Sequence, residues 1–169
     1  YPLIGNYGVH PEDAQSEAPM VRGLIVREKV DDYSHWRGNE SLDAYMTRHG
    51  IIGISGIDTR ALTRKLRSQG TVPGVIIADL DELDQVQKAL QEYDFKVYVD
   101  EVTTRQPYIL SPKVPSGLKV AVLDFGVKRG ILKSLLSRGV ELHVFPARTP
   151  AEAVLAIHPD GVLLSNGPG

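Results

Sequence analysis

The sequence predicts an α/β fold in two parts: an irregular α+β part, followed by the first βαβαβ of a parallel sheet. In residues 118–169, apolar segments alternate with amphipathic helical segments in the order strand, helix, strand, helix, strand. This alternation indicates parallel pairing with right-handed crossovers. Three prolines fall within residues 105–117, which we interpret as a linker. The predicted domains are therefore residues 1–104 and 118–169.

The first part mixes short apolar segments with capped helices. Segments that have the composition of a strand, or that form a short apolar run, lie at residues 21–28, 51–55, 72–79 and 96–104. Ser41 is a residue type that favours the N-cap position, and it precedes a helical pattern over residues 42–49. Asp58 precedes a second helical pattern over residues 59–69 in the same way. The acidic start of residues 81–93 favours a third helix, because negative charge stabilises a helix N-terminus.

The second part has clearer periodicity. The predicted strands are residues 118–126, 140–147 and 160–166, and the predicted helices are residues 127–139 and 150–158. Thr149 and Glu152 have the spacing of a capping box, with Pro150 at the first helical position. Ligands of open parallel sheets bind beyond the carboxyl ends of the strands. Residues 165–169 follow the last predicted strand and are therefore the first place to expect a site.

Composition narrows the classes of function. The chain has 169 residues, of which 42% are hydrophobic and 24% charged, with a formal net charge of −2, as in ordinary globular proteins. Neither a nucleic-acid partner nor a membrane is indicated, because no strongly basic surface or long apolar run is present. The absence of cysteine excludes disulfides, cysteine-ligated zinc and a thiol nucleophile within these residues, and it fits the cytoplasm. The histidines show no metal-ligand spacing, so no metal site is predicted.

The segment Ser-Asn-Gly-Pro-Gly at residues 165–169 is the candidate ligand-binding turn. We expect Gly167 and Gly169 to adopt positive φ and to let the backbone approach a ligand closely. Exposed glycine N–H groups can bind an oxyanion or a carboxylate. Asn-Gly and Gly-Pro are also frequent in ordinary turns, so the residues alone leave both interpretations open.

A second glycine-containing segment, residues 124–130, joins a predicted strand to a predicted helix. Such a junction can hold a phosphate at the helix N-terminus. The segment matches neither the G-x-G-x-x-G motif nor the Walker A motif of nucleotide-binding proteins. We favour a structural interpretation, in which Gly126 permits a tight turn and Lys128 and Arg129 are solvated.

Four blocks in order along the chain together resemble the small, glutamine-hydrolysing subunit of carbamoyl phosphate synthetase. They are residues 1–9, 53–70, 124–139 and 160–169. The block at 53–70 is specific to this family, whereas Ser-Asn-Gly-Pro-Gly after an apolar strand is shared with other class I glutamine amidotransferases. The resemblance implies an internal fragment. Residues 1–104 would be the later part of the subunit's N-terminal domain, and residues 118–169 the beginning of the amidotransferase domain.

The resemblance also implies roles for the turn. The backbone of Gly167 would help to form the oxyanion hole, and Gly167 and Gly169 would help to bind glutamine. The family's catalytic Cys, His and Glu would follow these residues, so the fragment itself is expected to be inactive. The intact subunit would hydrolyse glutamine and pass ammonia to a large synthetase subunit. ATP and magnesium are expected only on that partner, which makes carbamoyl phosphate for arginine and pyrimidine synthesis.

A non-catalytic binding or interaction module with an amidotransferase-like fold is the alternative. The basic helix predicted at residues 58–69 would then be the surface that meets a partner. A coding sequence that continues into a G-x-C-x-G motif would favour the glutaminase, and a stop codon after Gly169 would favour the module. We also expect marginal stability or self-association from a sheet that has only three parallel strands.

Overall fold

The computed structural model describes residues 1–92 and 98–168. The chain forms two compact units, Tyr1–Tyr93 and Asp94–Gly169. The first unit contains β1 (Leu3–Ile4), β2 (Gly23–Ile25), β3 (Glu28–Lys29), α1 (Leu42–Arg48), β4 (Ile52–Ile54), α2 (Thr59–Gln69) and α3 (Leu83–Glu92). Strand β1 pairs with β3 and strand β2 with β4, both in parallel.

The first two helices begin where their capping residues predict. The Ser41 hydroxyl accepts a hydrogen bond from the Ala44 N–H at 3.2 Å and so caps α1. The Asp58 carboxylate accepts from the Ala61 N–H at 2.9 Å and caps α2. Each bond satisfies one of the donors that a helix N-terminus leaves without an intrahelical acceptor. Both predicted N-caps are confirmed.

The strand predicted at residues 72–79 is wrong, because that segment forms no strand. Pro73 cannot donate to a ladder, and Gly74 offers no side chain to pack on a sheet. Ile76 packs on β2 instead, since a Cβ built at Gly23 would lie 2.8 Å from the Ile76 Cδ1 atom. Ile76 of this segment therefore packs against a strand, although the segment itself does not pair in a sheet.

The second unit is an α/β layer structure. It contains α4 (Tyr98–Val102), β5 (Tyr108–Leu110), β6 (Lys119–Asp124), α5 (Arg129–Leu136), β7 (Glu141–Pro146), α6 (Ala151–Leu155) and β8 (Gly161–Leu164). The strand order is β5-β7-β6-β8. Strand β6 pairs in parallel with both β7 and β8, whereas β5 pairs with β7 antiparallel. The predicted α/β class and the parallel β6, β7 and β8 are confirmed.

Helices cover both faces of this sheet. One cluster joins the strands to α5 and consists of Val122, Leu132, Val140, Leu142 and Val144. The cluster on the other face joins them to α6 and consists of Ala121, Phe145 and Val154. Neighbouring residues of one strand point to opposite faces, so a strand buried on both sides has a continuous apolar sequence. This is why β6 and β7 could be predicted from composition.

The segment predicted as a linker, residues 105–117, takes part in the sheet. Its residues Tyr108–Leu110 form β5, and Tyr108 pairs with Val144 of β7. Pro107 and Pro112 flank the strand, so the prolines limit its length without preventing it. The prolines thus bound an edge strand, and the interpretation of the whole segment as a linker is corrected.

The capping box predicted at Thr149 and Glu152 does not form. Helix α6 has Pro150 as its N-cap and no side-chain cap. The Thr149 N–H donates to the Pro146 carbonyl at 3.1 Å, so Thr149 belongs to the turn that leaves β7. The predicted N-cap, Thr149, is wrong by one position, because the turn after β7 fixes where the helix begins.

Candidate functional site

The glycine turn lies at the edge of the sheet where the strands end. Strands β6 and β8 are parallel neighbours, with Leu123 beside Leu164, so their carboxyl ends share one edge. Strands β7 and β8 lie on opposite sides of β6, so the direction in which successive strands are added to the sheet reverses between β7 and β8. The crevice outside such a reversal is where open α/β sheets bind ligands. The predicted turn therefore occupies the expected edge.

Ser165 attaches the turn to the end of β6. Its N–H donates to the Leu123 carbonyl at 3.1 Å. Its hydroxyl accepts a hydrogen bond from the Phe125 N–H at 2.9 Å and donates to the Asn166 carbonyl at 2.8 Å. The role of Ser165 was missed, although a serine directly after a strand could have signalled a side chain that bonds the neighbouring backbone.

A glycine is required at position 167 because Phe125 approaches it closely, and not because the backbone there has a positive φ. Gly167 is absent from the glycines with positive φ, so the expected conformation is wrong at this position. A Cβ at Gly167 would lie 2.9 Å from the carbonyl oxygen and 3.2 Å from the Cβ of Phe125. Real Cβ atoms are essentially never found within 3.0 Å of such an atom, so a larger residue would displace the backbone. Gly169, the second predicted site residue, lies outside the described residues.

The N–H of Gly167 has no hydrogen-bond acceptor among residues 1–92 and 98–168. The residue is exposed, and Pro168 has no amide hydrogen of its own. An exposed backbone donor beside a strand end is able to bind an incoming anion. The turn thus has the property that an oxyanion donor needs.

Asp124 organises the neighbouring turn between β6 and α5. Its side chain is only 6% exposed. One carboxylate oxygen accepts from the N–H groups of Gly126 and Val127, both at 2.8 Å, and the other accepts from the Thr104 N–H at 2.8 Å. Because Asp124 already occupies these amides, they are not free to hold a phosphate. This geometry favours the structural interpretation of residues 124–130.

The segment 98–104 covers the ends of β6 and β7. The predicted strand at 96–104 is wrong where the structure describes it, because residues 98–102 form α4. The Thr103 hydroxyl accepts from the Ala147 N–H at 2.9 Å, and the Asp100 carboxylate binds both Nε and Nη2 of Arg148 at 2.7 Å. These contacts with residues after β7 outweigh the local preference for a strand.

The ion pair between Asp100 and Arg148 gives a testable pH effect. The Arg148 guanidinium donates to Asp100 and lowers the pKa of that carboxyl group below its usual value. Folding therefore gains stability from the pair above the unfolded-state pKa of about 3.9 and loses it as the pH falls through the lower folded-state pKa. We expect an NMR titration of the Asp100 carboxyl carbon to show a midpoint below about 3.9 that rises in Arg148→Gln.

Arg105→Gln is the matched control for this titration, since it removes an exposed arginine of the same unit that forms neither a hydrogen bond nor an ion pair with Asp100 in the described residues. The Asp100 midpoint should be unchanged by it. An Asp100 midpoint that is the same in Arg148→Gln as in the wild type would show that the pair does not shift the pKa.

The described residues present neither a metal centre nor a membrane-spanning helix. Residues 1–92 and 98–168 hold no group of three or more His, Cys, Asp or Glu side chains placed to bind a metal ion. Within the same ranges, every helix is too short or too polar to cross a membrane. The turn after β8 is thus the feature on which a function can be built.

The second unit has the sheet and turn of one class of enzyme domain. Residues 121–169, which include most of β6, all of β7 and β8, and the turn, match the family model described as "Glutamine amidotransferase class-I". Residues 1–76 match a second model, "Carbamoyl-phosphate synthase small chain, CPSase domain". The two matches follow each other in the order that the resemblance predicted.

The curated relatives of the chain are carbamoyl phosphate synthase small chains. The whole chain is 44% identical to the carbamoyl phosphate synthase small chain of Clostridium perfringens and covers 48% of it. It is 45% identical to the small chain of a Synechococcus species, covering 47%, and 46% identical to the pyrimidine-specific small chain of Halalkalibacterium halodurans, covering 46%. The chain is thus similar over its whole length to carbamoyl phosphate synthase small chains. It spans about half the length of the curated relatives it matches.

Proposed function

We propose that these residues are part of a subunit that hydrolyses glutamine, with the Gly167 N–H as a donor of its oxyanion hole. The observation that carries the proposal is the exposed N–H of Gly167, which has no acceptor among the described residues and lies at the carboxyl edge of the sheet. The match of residues 121–169 to class I glutamine amidotransferases supports the same reaction.

The proposed reaction is an acyl transfer to a thiol. A cysteine thiolate from outside these 169 residues, activated by a His that a Glu orients, attacks the side-chain amide carbon of glutamine. Negative charge develops on the amide oxygen, and the Gly167 N–H donates a hydrogen bond to it. The C–N bond breaks, the nitrogen takes a proton from the His and leaves as ammonia. Water then hydrolyses the thioester to glutamate and the free thiol.

Ammonia is the product that the proposed partner consumes. The family name of the relatives, small chain, implies a large chain, and we propose that this partner binds ATP and magnesium and makes carbamoyl phosphate. Arginine and pyrimidine synthesis in the cytoplasm are the proposed destinations. Gly169 is the second residue proposed to bind glutamine.

The coding sequence tests this proposal directly. Sequencing past codon 169 should reveal an in-frame continuation that encodes a G-x-C-x-G motif some tens of residues downstream. The complete product, assembled with its large chain, should release glutamate from glutamine. A stop codon directly after Gly169 would contradict the proposal and favour the non-catalytic module. Mass spectrometry of the purified protein shows which product the cell makes.

A further inference from the structure

We infer that Ser165 is a positioning residue for the oxyanion hole, because its hydroxyl fixes the orientation of the peptide that carries the Gly167 N–H. The inference rests on the proposed function and adds a residue to it. Ser165 does not itself contact the reacting atoms in this assignment. It acts through the backbone of the turn.

Peptide planarity links the Gly167 N–H to the Asn166 carbonyl. The carbonyl of Asn166 and the N–H of Gly167 belong to the same trans peptide, so they point in opposite directions. The Ser165 hydroxyl donates to that carbonyl at 2.8 Å. Holding the carbonyl toward Ser165 therefore directs the N–H of Gly167 away from it. A rotation of this peptide would move the donor out of place.

A second constraint comes from the way in which the parallel ladder ends. With Leu123 beside Leu164, the next ladder bond would run from the Phe125 N–H to the Ser165 carbonyl. The Ser165 hydroxyl accepts from that N–H instead, at 2.9 Å. The side chain thus replaces the backbone acceptor, and the backbone after Ser165 is released from the sheet to form the turn.

Both hydrogen-bonding capacities of the hydroxyl are used at once. A serine hydroxyl has one donor hydrogen and two acceptor lone pairs. Here the donor engages the turn and an acceptor engages the end of β6. Phe125 also lies so close to Gly167 that a Cβ at this position would be 2.9 Å from the Phe125 carbonyl oxygen. One hydroxyl group therefore ties the orientation of the Gly167 N–H to a buried strand.

The test uses the complete small chain assembled with its large chain. Ser165→Thr and Ser165→Val introduce side chains of nearly the same shape, of which only threonine has a hydroxyl. Ser165→Ala removes the hydroxyl without adding a larger side chain. Ser137→Ala is the matched control, because that hydroxyl also donates to a backbone carbonyl, at 3.0 Å, but on the far end of α5. Three quantities are measured: kcat and KM for glutamine hydrolysis, and the rate of carbamoyl phosphate synthesis from free ammonia.

We expect Ser165→Val and Ser165→Ala to lower kcat about tenfold, less than the loss of an oxyanion donor itself, with KM nearly unchanged. Ser165→Thr should retain most of kcat, and Ser137→Ala should retain all of it. Synthesis from ammonia should be the same in every variant, because ammonia does not pass through the turn. If the Ser165→Ala small chain fails to assemble with the large chain, comparing the kcat of Ser165→Thr with that of Ser165→Val decides whether the hydroxyl positions the donor.

Two outcomes overturn the inference, and they differ from failure of the proposed function. If the wild type hydrolyses glutamine and Ser165→Val has the same kcat as Ser165→Thr, the hydroxyl does not position the donor. If Ser165→Val also loses synthesis from ammonia, its effect is on assembly and not on the oxyanion. A wild type that releases no glutamate would instead remove the proposed function on which the inference depends.

Discussion

Replacing Gly167 with alanine is expected to lower kcat for glutamine hydrolysis by about 10²–10³-fold in the complete, assembled enzyme, the usual cost of losing one oxyanion donor. The new Cβ would lie 2.9 Å from the Phe125 carbonyl oxygen, so the backbone must shift. We expect this shift to move the Gly167 N–H away from the proposed position of the oxyanion. Steady-state kinetics with glutamine and, separately, with ammonia measures the effect.

Gly74→Ala is the matched control for this variant. A Cβ at Gly74 would meet no atom within 4 Å, and the residue is not among the glycines with positive φ. Its kcat should equal that of the wild type. A Gly167→Ala enzyme with wild-type kcat would show that the turn makes no contribution to the transition state, and the proposed role of Gly167 would have to be withdrawn.

Replacing Asp124 with alanine is expected to destabilise the second unit by roughly 3 kcal/mol or more, because each donor left without a partner at a buried site costs about 1–3 kcal/mol. Three backbone N–H groups lose their acceptor, those of Thr104, Gly126 and Val127. Amide hydrogen exchange of the peptides that contain β6 and β7 measures the opening free energy of this unit. Exchange there should accelerate by about a hundredfold or more.

Asp160→Ala provides the comparison for Asp124. The Asp160 carboxylate accepts a single hydrogen bond, from the Lys119 N–H at 2.7 Å, at an exposed position. Water can replace that acceptor, so we expect a loss of no more than about 1 kcal/mol. Equal effects of the two substitutions would mean that the three bonds of Asp124 do not act together.

The parts of the fold that the sequence predicted are those whose signals are local. Strands β6 and β7 are buried on both faces and therefore have continuous apolar sequences, which composition reveals. Helices α1 and α2 begin after Ser41 and Asp58, whose side chains bond amides only three residues away. Such signals depend on neighbours in the sequence, so they can be recognised without the structure.

The missed features depend on distant partners. Helix α4 lies where a strand was predicted because Asp100 and Thr103 bond residues more than 40 positions later in the chain. The role of Asp124 requires Thr104, which is 20 positions earlier. No local pattern encodes either pairing. The glycine at 167 was recognised correctly as special, but the reason is the approach of Phe125 and not its own φ.

The contacts of α4 also set an order of events during synthesis of the chain. Thr103 emerges from the ribosome 44 residues before Ala147, its hydrogen-bond partner. At a translation rate of about 5–20 residues per second, residues 98–104 wait roughly 2–9 s for the end of β7. A preformed strand over these residues would be able to pair wrongly with nascent β6 during that interval. Because α4 is held by contacts with Ala147 and Arg148, we expect it to form only after that interval.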